Sequence, residues 1–403
     1  MKTRWKQLIL GTLTMLLLGL IYAWSIFREP LLESFPMWSM ADISLTFTVS
    51  MIMFCLGIIV CGKLLEKMKP RWILLLSGIL ICIGFIAVAY SLYLHDPQSS
   101  LVRLYIFYGG FCGFGVGTGY IAILNAVGAW FPEKPGLAGG ILLMGFGFGG
   151  LILGSIADAM FDYLGFLWTL FYLGIAFLIV CTLVSFVLRN PTEEEMAALS
   201  VGKKGSTEED HSFTTGQMLR TSYFWLFIIF GTFCASGGLM VINSAVPIAT
   251  HFGASAAVGL IVSIFNGGGR VVIGMIFDKF GTSVALIYNA ILFIIGGVLL
   301  ILTAMTGNAL LLWLGLPIIG VGYGGFPALA SAVARTRWGK AHYSVNFGII
   351  SSNLIVAAFM GPYLSGLLQD LSGNFNSTFV MITIFGVVAF LLALVMVRKE
   401  RRG

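Results

Sequence analysis

Twelve apolar stretches, each about 20 residues long, divide this chain, centred near residues 17, 53, 82, 115, 147, 175, 234, 266, 293, 322, 355 and 386. A helix of that length, rising ~1.5 Å per residue, crosses a ~30 Å hydrocarbon core. Inside that core no water can satisfy a peptide group, so the chain is confined to helices packed on one another. The expected fold class is an all-α polytopic membrane protein with twelve transmembrane helices. Composition supports this: 58% of residues are hydrophobic and 10% charged, whereas about a quarter of a soluble domain is charged.

The basic residues set the orientation. With both termini on one side, 20 of the 23 Lys and Arg fall on that side, among them Lys2 to Lys6, Lys63 to Arg71, Lys134, Lys279 and Arg335 to Lys340. Only Arg28 and Arg103 fall opposite, and Arg270 lies within a span. The positive-inside rule then places both termini in the cytoplasm. The net charge of +6 reflects this topology, so nucleic acid is not an expected partner. Lys2, Arg4 and Lys6 precede an apolar run without a small-residue cleavage site, which points to a retained first span. Six cysteines, Cys55, Cys61, Cys82, Cys112, Cys181 and Cys234, lack metal-ligand spacing and read as small packing residues. No metal or cofactor is expected.

Residues 190 to 218 are polar, with Pro191, Glu193 to Glu195, Lys203, Lys204 and Glu208 to Asp210. They read as a cytoplasmic linker between an N-terminal six-helix bundle, 1–189, and a C-terminal one, 219–403. The halves repeat at one place. Gly62-Lys63-Leu64-Leu65-Glu66-Lys67, followed by Arg71, comes after the second span. Gly274-Met275-Ile276-Phe277-Asp278-Lys279-Phe280-Gly281 comes after the eighth, 212 residues later. Two repeated halves are a signature of secondary transporters, whose site lies between them near the midplane.

The pattern glycine, three residues, acid, base resembles the cytoplasmic loop motif of the major facilitator superfamily, and the likeness runs through the whole chain. It implies two pseudo-symmetric six-helix bundles. It also implies that Gly62, Glu66, Lys67, Arg71, Gly274, Asp278, Lys279 and Gly281 form a cytoplasmic gate. The acid there would make charge-assisted bonds to a neighbouring helix in one conformation and lose them in the other.

A closer resemblance rests on Tyr22-Ala23-Trp24-Ser25-Ile26-Phe27, Trp130-Phe131-Pro132-Glu133-Lys134-Pro135-Gly136-Leu137-Ala138, Asn266-Gly267-Gly268-Gly269-Arg270 and Asn346-Phe347-Gly348. Together these look like the oxalate/formate antiporter family of bacteria and archaea, related to the monocarboxylate transporters. In such relatives an Arg of the eighth helix binds the substrate carboxylate. Arg270 matches it, eight residues before Asp278 and so about 12 Å inside the interface. A guanidinium at that depth is costly and marks a ligand pathway by default. Its planar fork suits a carboxylate.

The resemblance also bears on which anion is carried. Animal monocarboxylate transporters have an Asp one turn before this Arg, where Asn266 stands. The oxalate transporter has a second basic residue in the eleventh helix, whereas this chain has neither Lys nor Arg between Ala341 and Met396, and Asn353 is the mid-depth polar residue. One buried positive charge matches one carboxylate, so a monoanion is expected. Tyr22, Tyr120, Asn125, Asn266, Tyr323 and Asn353 are candidates to complete the site, and His251, at the outer end of the seventh span, is a candidate proton relay.

The expectation is a monomeric transporter of a small monocarboxylate in a prokaryotic inner membrane, working by alternating access with a proton. The alternatives are exchange of the oxalate/formate kind and a carboxylate sensor that moves nothing. A membrane enzyme would need acids, His or Cys converging at one interface, and His95, His211, His251 and His342 are scattered.

Overall fold

The computed structural model describes residues 2–400 apart from 39, 95, 201–211, 255–256 and 373. The linker residues Lys203, Lys204 and Glu208 to Asp210, with His95, His211, Arg401 and Arg402, lie outside them. Among the described residues all regular structure is helical. The membrane helices are α1 (Lys2–Leu18, continued by the 3-10 turn Gly19–Ala23), α2 (Met40–Leu64), α3 (Pro70–Tyr93), α4 (Pro97–Gly128), α5 (Pro135–Leu164) and α6 (Phe166–Ser185). Then follow α7 (Ser222–His251), the pair α8 and α9 within Ala257–Thr306, α10 (Ala309–Arg337), α11 (Tyr343–Ser351 and Asn353–Ser372) and α12 (Asn376–Glu400).

Two of these helices are interrupted. Among the described residues eleven segments have the length and hydropathy of a span, and one of them, Ile261–Thr306, is two spans run together. Gly281, at φ 82° and ψ 178°, breaks it into α8 up to residue 280 and α9 from 282. That backbone is open to glycine and strained for other residues. Twelve spans result, at the expected places. The eleventh breaks without a glycine, at Ser352, directly before Asn353.

The chain forms two compact units. The first comprises Met1–Glu133, Gly145–Ser212 and Lys340–Ile349; the second comprises Lys134–Met144, Phe213–Gly339 and Ile350–Gly403. Thus α5 and α11 each change unit part-way along, α5 after Met144 and α11 after Ile349.

Small residues four apart let helices of the first unit approach closely. Gly109, Gly113 and Gly117 of α4 face Val49, Ser50 and Phe54 of α2, while Gly115 and Gly119 face Ser77 and Ile81 of α3. The later glycines of α5 do the same against α1: Gly145 meets Thr12, and Gly149 meets Leu16 and Gly19. All six cysteines are buried and form no disulfide.

In the second unit, Glu400 at the end of α12 gathers three neighbours. It accepts from Ser283 Oγ at 2.6 Å, Arg337 Nη1 at 3.0 Å and Tyr223 OH at 3.2 Å. Arg335, counted above with the loop charges, is instead buried in the last turn of α10, 8% exposed, where the helix dipole favours a cation.

Candidate functional site

Four of the candidate residues in the second unit share one helix. Asn266, Arg270, Gly274 and Asp278 fall on successive turns of α8, and Gly136, Gly140 and Leu143 fall on the first turns of α5. The two helices meet with their backbones almost touching. A Cβ on Gly140 would lie 2.5 Å from the carbonyl oxygen of Arg270, and Gly136 and Gly274 each present bare backbone to the other.

Polar bonds close both ends of this seam. At one end Asp278 accepts the backbone N–H of Gly136 through Oδ1 at 2.8 Å and that of Leu137 through Oδ2 at 2.7 Å. These N–H groups open α5, behind Pro135, and would otherwise have no partner within the helix. At the other end Arg270, 3% exposed, donates Nη1–H to the backbone carbonyl of Leu143 at 2.6 Å. Arg270 therefore neither pairs with a displaced acid nor reaches for the interface.

Three candidate residues of the second unit each hold a buried polar atom without a protein partner. Arg270 Nε, Asn266 Oδ1 and Asn353 Nδ2 are all buried without a hydrogen bond. Leaving such a group unsatisfied costs about 1–3 kcal/mol, more when it is charged, so these atoms are suited to a polar occupant. Asn353 is 4% exposed and Tyr323 is 7% exposed, the Tyr323 ring lying against Gly238 of α7.

Tyr22, Tyr120 and Asn125 belong to the first unit. Tyr120 sits in an aromatic cluster with Phe54 at 5.2 Å, Phe146 at 4.9 Å and Phe347 at 6.2 Å between ring centroids. Tyr22 stacks edge-on against the same Phe146 at 5.2 Å. Asn125 spends an amide hydrogen on Ser344 Oγ, 2.6 Å away. His251 is exposed at the end of α7, its ring against Phe252 and Phe375.

The first unit has a seam matching that of the second. Gly62 of α2 packs on the backbone of Ser344, 2.8 Å from a built Cβ, and Gly348 packs on Ile58 and Ile59. Glu66 stands where Asp278 stands in the other half. Its Oε2 meets Lys63 Nζ at 2.6 Å and its Oε1 meets His342 Nδ1 at 2.6 Å. Burial pushes the Glu66 carboxyl up, but the bonds to Lys63 and His342 outweigh it and leave the group below its ordinary value. The sequence shows His342 only as one of four scattered histidines. Of the other motif residues, Arg71 lies over the Trp72 ring and Lys279 over Phe280, while Lys67 is exposed.

The family model of the Major Facilitator Superfamily matches residues 8–353. The chain belongs to that superfamily. It is 28% identical over 409 residues to an oxalate:formate antiporter of Oxalobacter formigenes, covering 99% of this chain and 93% of the relative. Monocarboxylate transporter 2 of Rattus norvegicus is 22% identical over 340 residues, 80% of this chain and 68% of the relative. Among solved structures, the proton:xylose symporter XylE superposes with a TM-score of 0.79 at 17% identity, covering 98% of this chain and 96% of that one; it shares the fold. Superfamily membership makes the protein a multi-pass membrane transporter.

Proposed function

We propose that this transporter carries small monocarboxylates, of the lactate, pyruvate or formate class, across a prokaryotic inner membrane by alternating access of its two six-helix halves, with a proton. Both termini are cytoplasmic in this reading, and Glu66 and Asp278 latch the cytoplasmic ends. The observation that carries it is Arg270, a guanidinium buried to 3% exposure with Nε unpartnered.

The internal repeat supplies a control for that residue. At the offset of 212 residues that relates Gly62 to Gly274, Arg270 corresponds to Ile58. Ile58 is fully buried at the equivalent seam, against Gly348. Packing at this position is thus achieved without a charge, and the cost of burying Arg270 calls for another purpose. A carboxylate meets that need, because it neutralises the charge and accepts in the plane of the fork.

One cation favours a monoanion, with Asn353 supplying a neutral donor. The polar group one turn before Arg270 is the amide of Asn266, so the proton travels by a route other than a carboxylate at that turn. Exchange of anions is the second reading, favoured by the 28% identity to an oxalate:formate antiporter.

Uptake of labelled lactate, formate and oxalate into proteoliposomes, with an imposed pH gradient or with internal anion, separates the two. Symport responds to the gradient and exchange to the internal anion. Arg270→Gln abolishes uptake in either case; a variant that still accumulates lactate removes Arg270 from the site.

A further inference from the structure

We propose that the backbone carbonyl of Leu143 is a positioning group for the substrate. By holding Arg270 Nη1 it aims the Nε edge of the guanidinium at the bound anion, and it makes affinity depend on closure of the α5–α8 seam. The inference rests on reading Arg270 as the carboxylate ligand.

The geometry sets up this dependence. An arginine side chain carries several rotatable bonds, and fixing it on the ligand costs entropy unless the protein has already fixed it. The 2.6 Å bond from Nη1 to Leu143 does so, and its position leaves Nε unpartnered. A carboxylate can then meet a preoriented donor edge.

Leu143 lies in the stretch Lys134–Met144, which belongs to the same compact unit as Arg270. Only one residue separates it from Gly145, where α5 passes into the other unit. The opposite end of that stretch is held by Asp278, and Gly140 on Arg270's own backbone lies between. Any separation of these first turns from α8 withdraws the carbonyl, and the guanidinium loses its fixed orientation. Substrate therefore binds tightly while the seam is closed and is released as it opens. By reciprocity, bound substrate holds the seam closed by the same factor.

The first-unit seam has the glycines but an apolar residue at the matching place, Ile58 beside Gly348. Closure there carries no such link to a ligand. The device is confined to one half of the repeat.

The test replaces Met144 with its α-hydroxy acid, which turns the Leu143 carbonyl into a weaker ester acceptor. The control places the ester at Gly145, where one helical N–H is likewise lost but the Leu143 carbonyl stays an amide. Equilibrium binding of labelled lactate to the purified protein is expected to weaken about tenfold with the first ester and less than about twofold with the second. Should the esters fail to fold, the unaltered protein gives a second readout: saturating lactate slows amide hydrogen exchange across residues 136–147. Lactate binding with equal effects of the two esters, or with unchanged exchange, overturns the positioning role and leaves the carboxylate reading standing. A wild-type protein that binds none of lactate, pyruvate and formate overturns both.

Discussion

The carboxylate of Asp278 caps the first turn of α5, accepting the N–H of Gly136 at 2.8 Å and of Leu137 at 2.7 Å. A full negative charge on two free N–H groups at a helix N-terminus combines charge-assisted bonding with the helix dipole. Asp278→Asn keeps the shape but turns an NH2 towards one of those N–H groups, leaving buried donors opposed. The expected loss is about 1–3 kcal/mol from this seam. It appears as a lower Tm of the purified protein and a fall in proteoliposome uptake of about tenfold or more. Uptake equal to wild type would remove the latch role.

The glycines of the seam make a contrasting prediction. A methyl on Gly140 would sit 2.5 Å from the Arg270 carbonyl oxygen, and one on Gly274 would press on the Gly136 backbone, whereas a methyl on Gly216 meets nothing within 4 Å. Gly140→Ala and Gly274→Ala must therefore push α5 and α8 apart, destabilising by about 1–3 kcal/mol. Gly216→Ala lies in the short helix Thr215–Arg220 and should stabilise by about 0.5–1 kcal/mol through reduced backbone entropy. Thermal unfolding of the three variants gives opposite signs for the two classes.

These seams show what a sequence reveals and what it conceals. The spans and the boundary between α8 and α9 could be read from the apolar runs and from the motif ending in Gly281. Asp278 and Glu66 could be singled out as the acids of the repeated motif for the same reason. Their partners could not. Gly136 and Leu137 donate through backbone N–H and Leu143 accepts through backbone C=O, and every residue carries those groups, so no side chain announces them. His342 carried a usable signal: if Asp278 reaches the start of α5, the repeat requires Glu66 to reach the start of α11, and His342 stands there. The break at Ser352 has neither Gly nor Pro to mark it.

The Glu66 seam carries a pH dependence whose sign follows from its depressed carboxyl. A group held below its ordinary value, here 4.5, stabilises the fold fully above that value and loses the contribution as pH falls through the lowered one. Lys63 and His342 are the groups that face it, His342 bearing a charge only when protonated. The difference in Tm between wild type and Glu66→Gln should favour wild type at neutral pH, equivalent to about 1 kcal/mol or less for a partly exposed pair. It should shrink below about pH 4.5. A difference that instead grows on acidification would mean that the carboxyl is protonated at neutral pH.

Asn353 offers a way to change the charge of the site and thereby the charge of its ligand. It opens the second part of α11 just after the break at Ser352, is 4% exposed and leaves Nδ2 unpartnered. Asn353→Lys puts a second cation in the same unit as Arg270. With no ligand or with a monoanion, that charge is uncompensated and costs several kcal/mol or shifts to its neutral form. A dianion compensates both cations at once, so the substitution should lower lactate uptake and raise the potency of oxalate as a competitor. Competition of unlabelled oxalate against labelled lactate, for wild type and variant, reads the shift directly. Unchanged discrimination would place Asn353 outside the substrate's reach, and the monoanion preference would then rest on Arg270 alone.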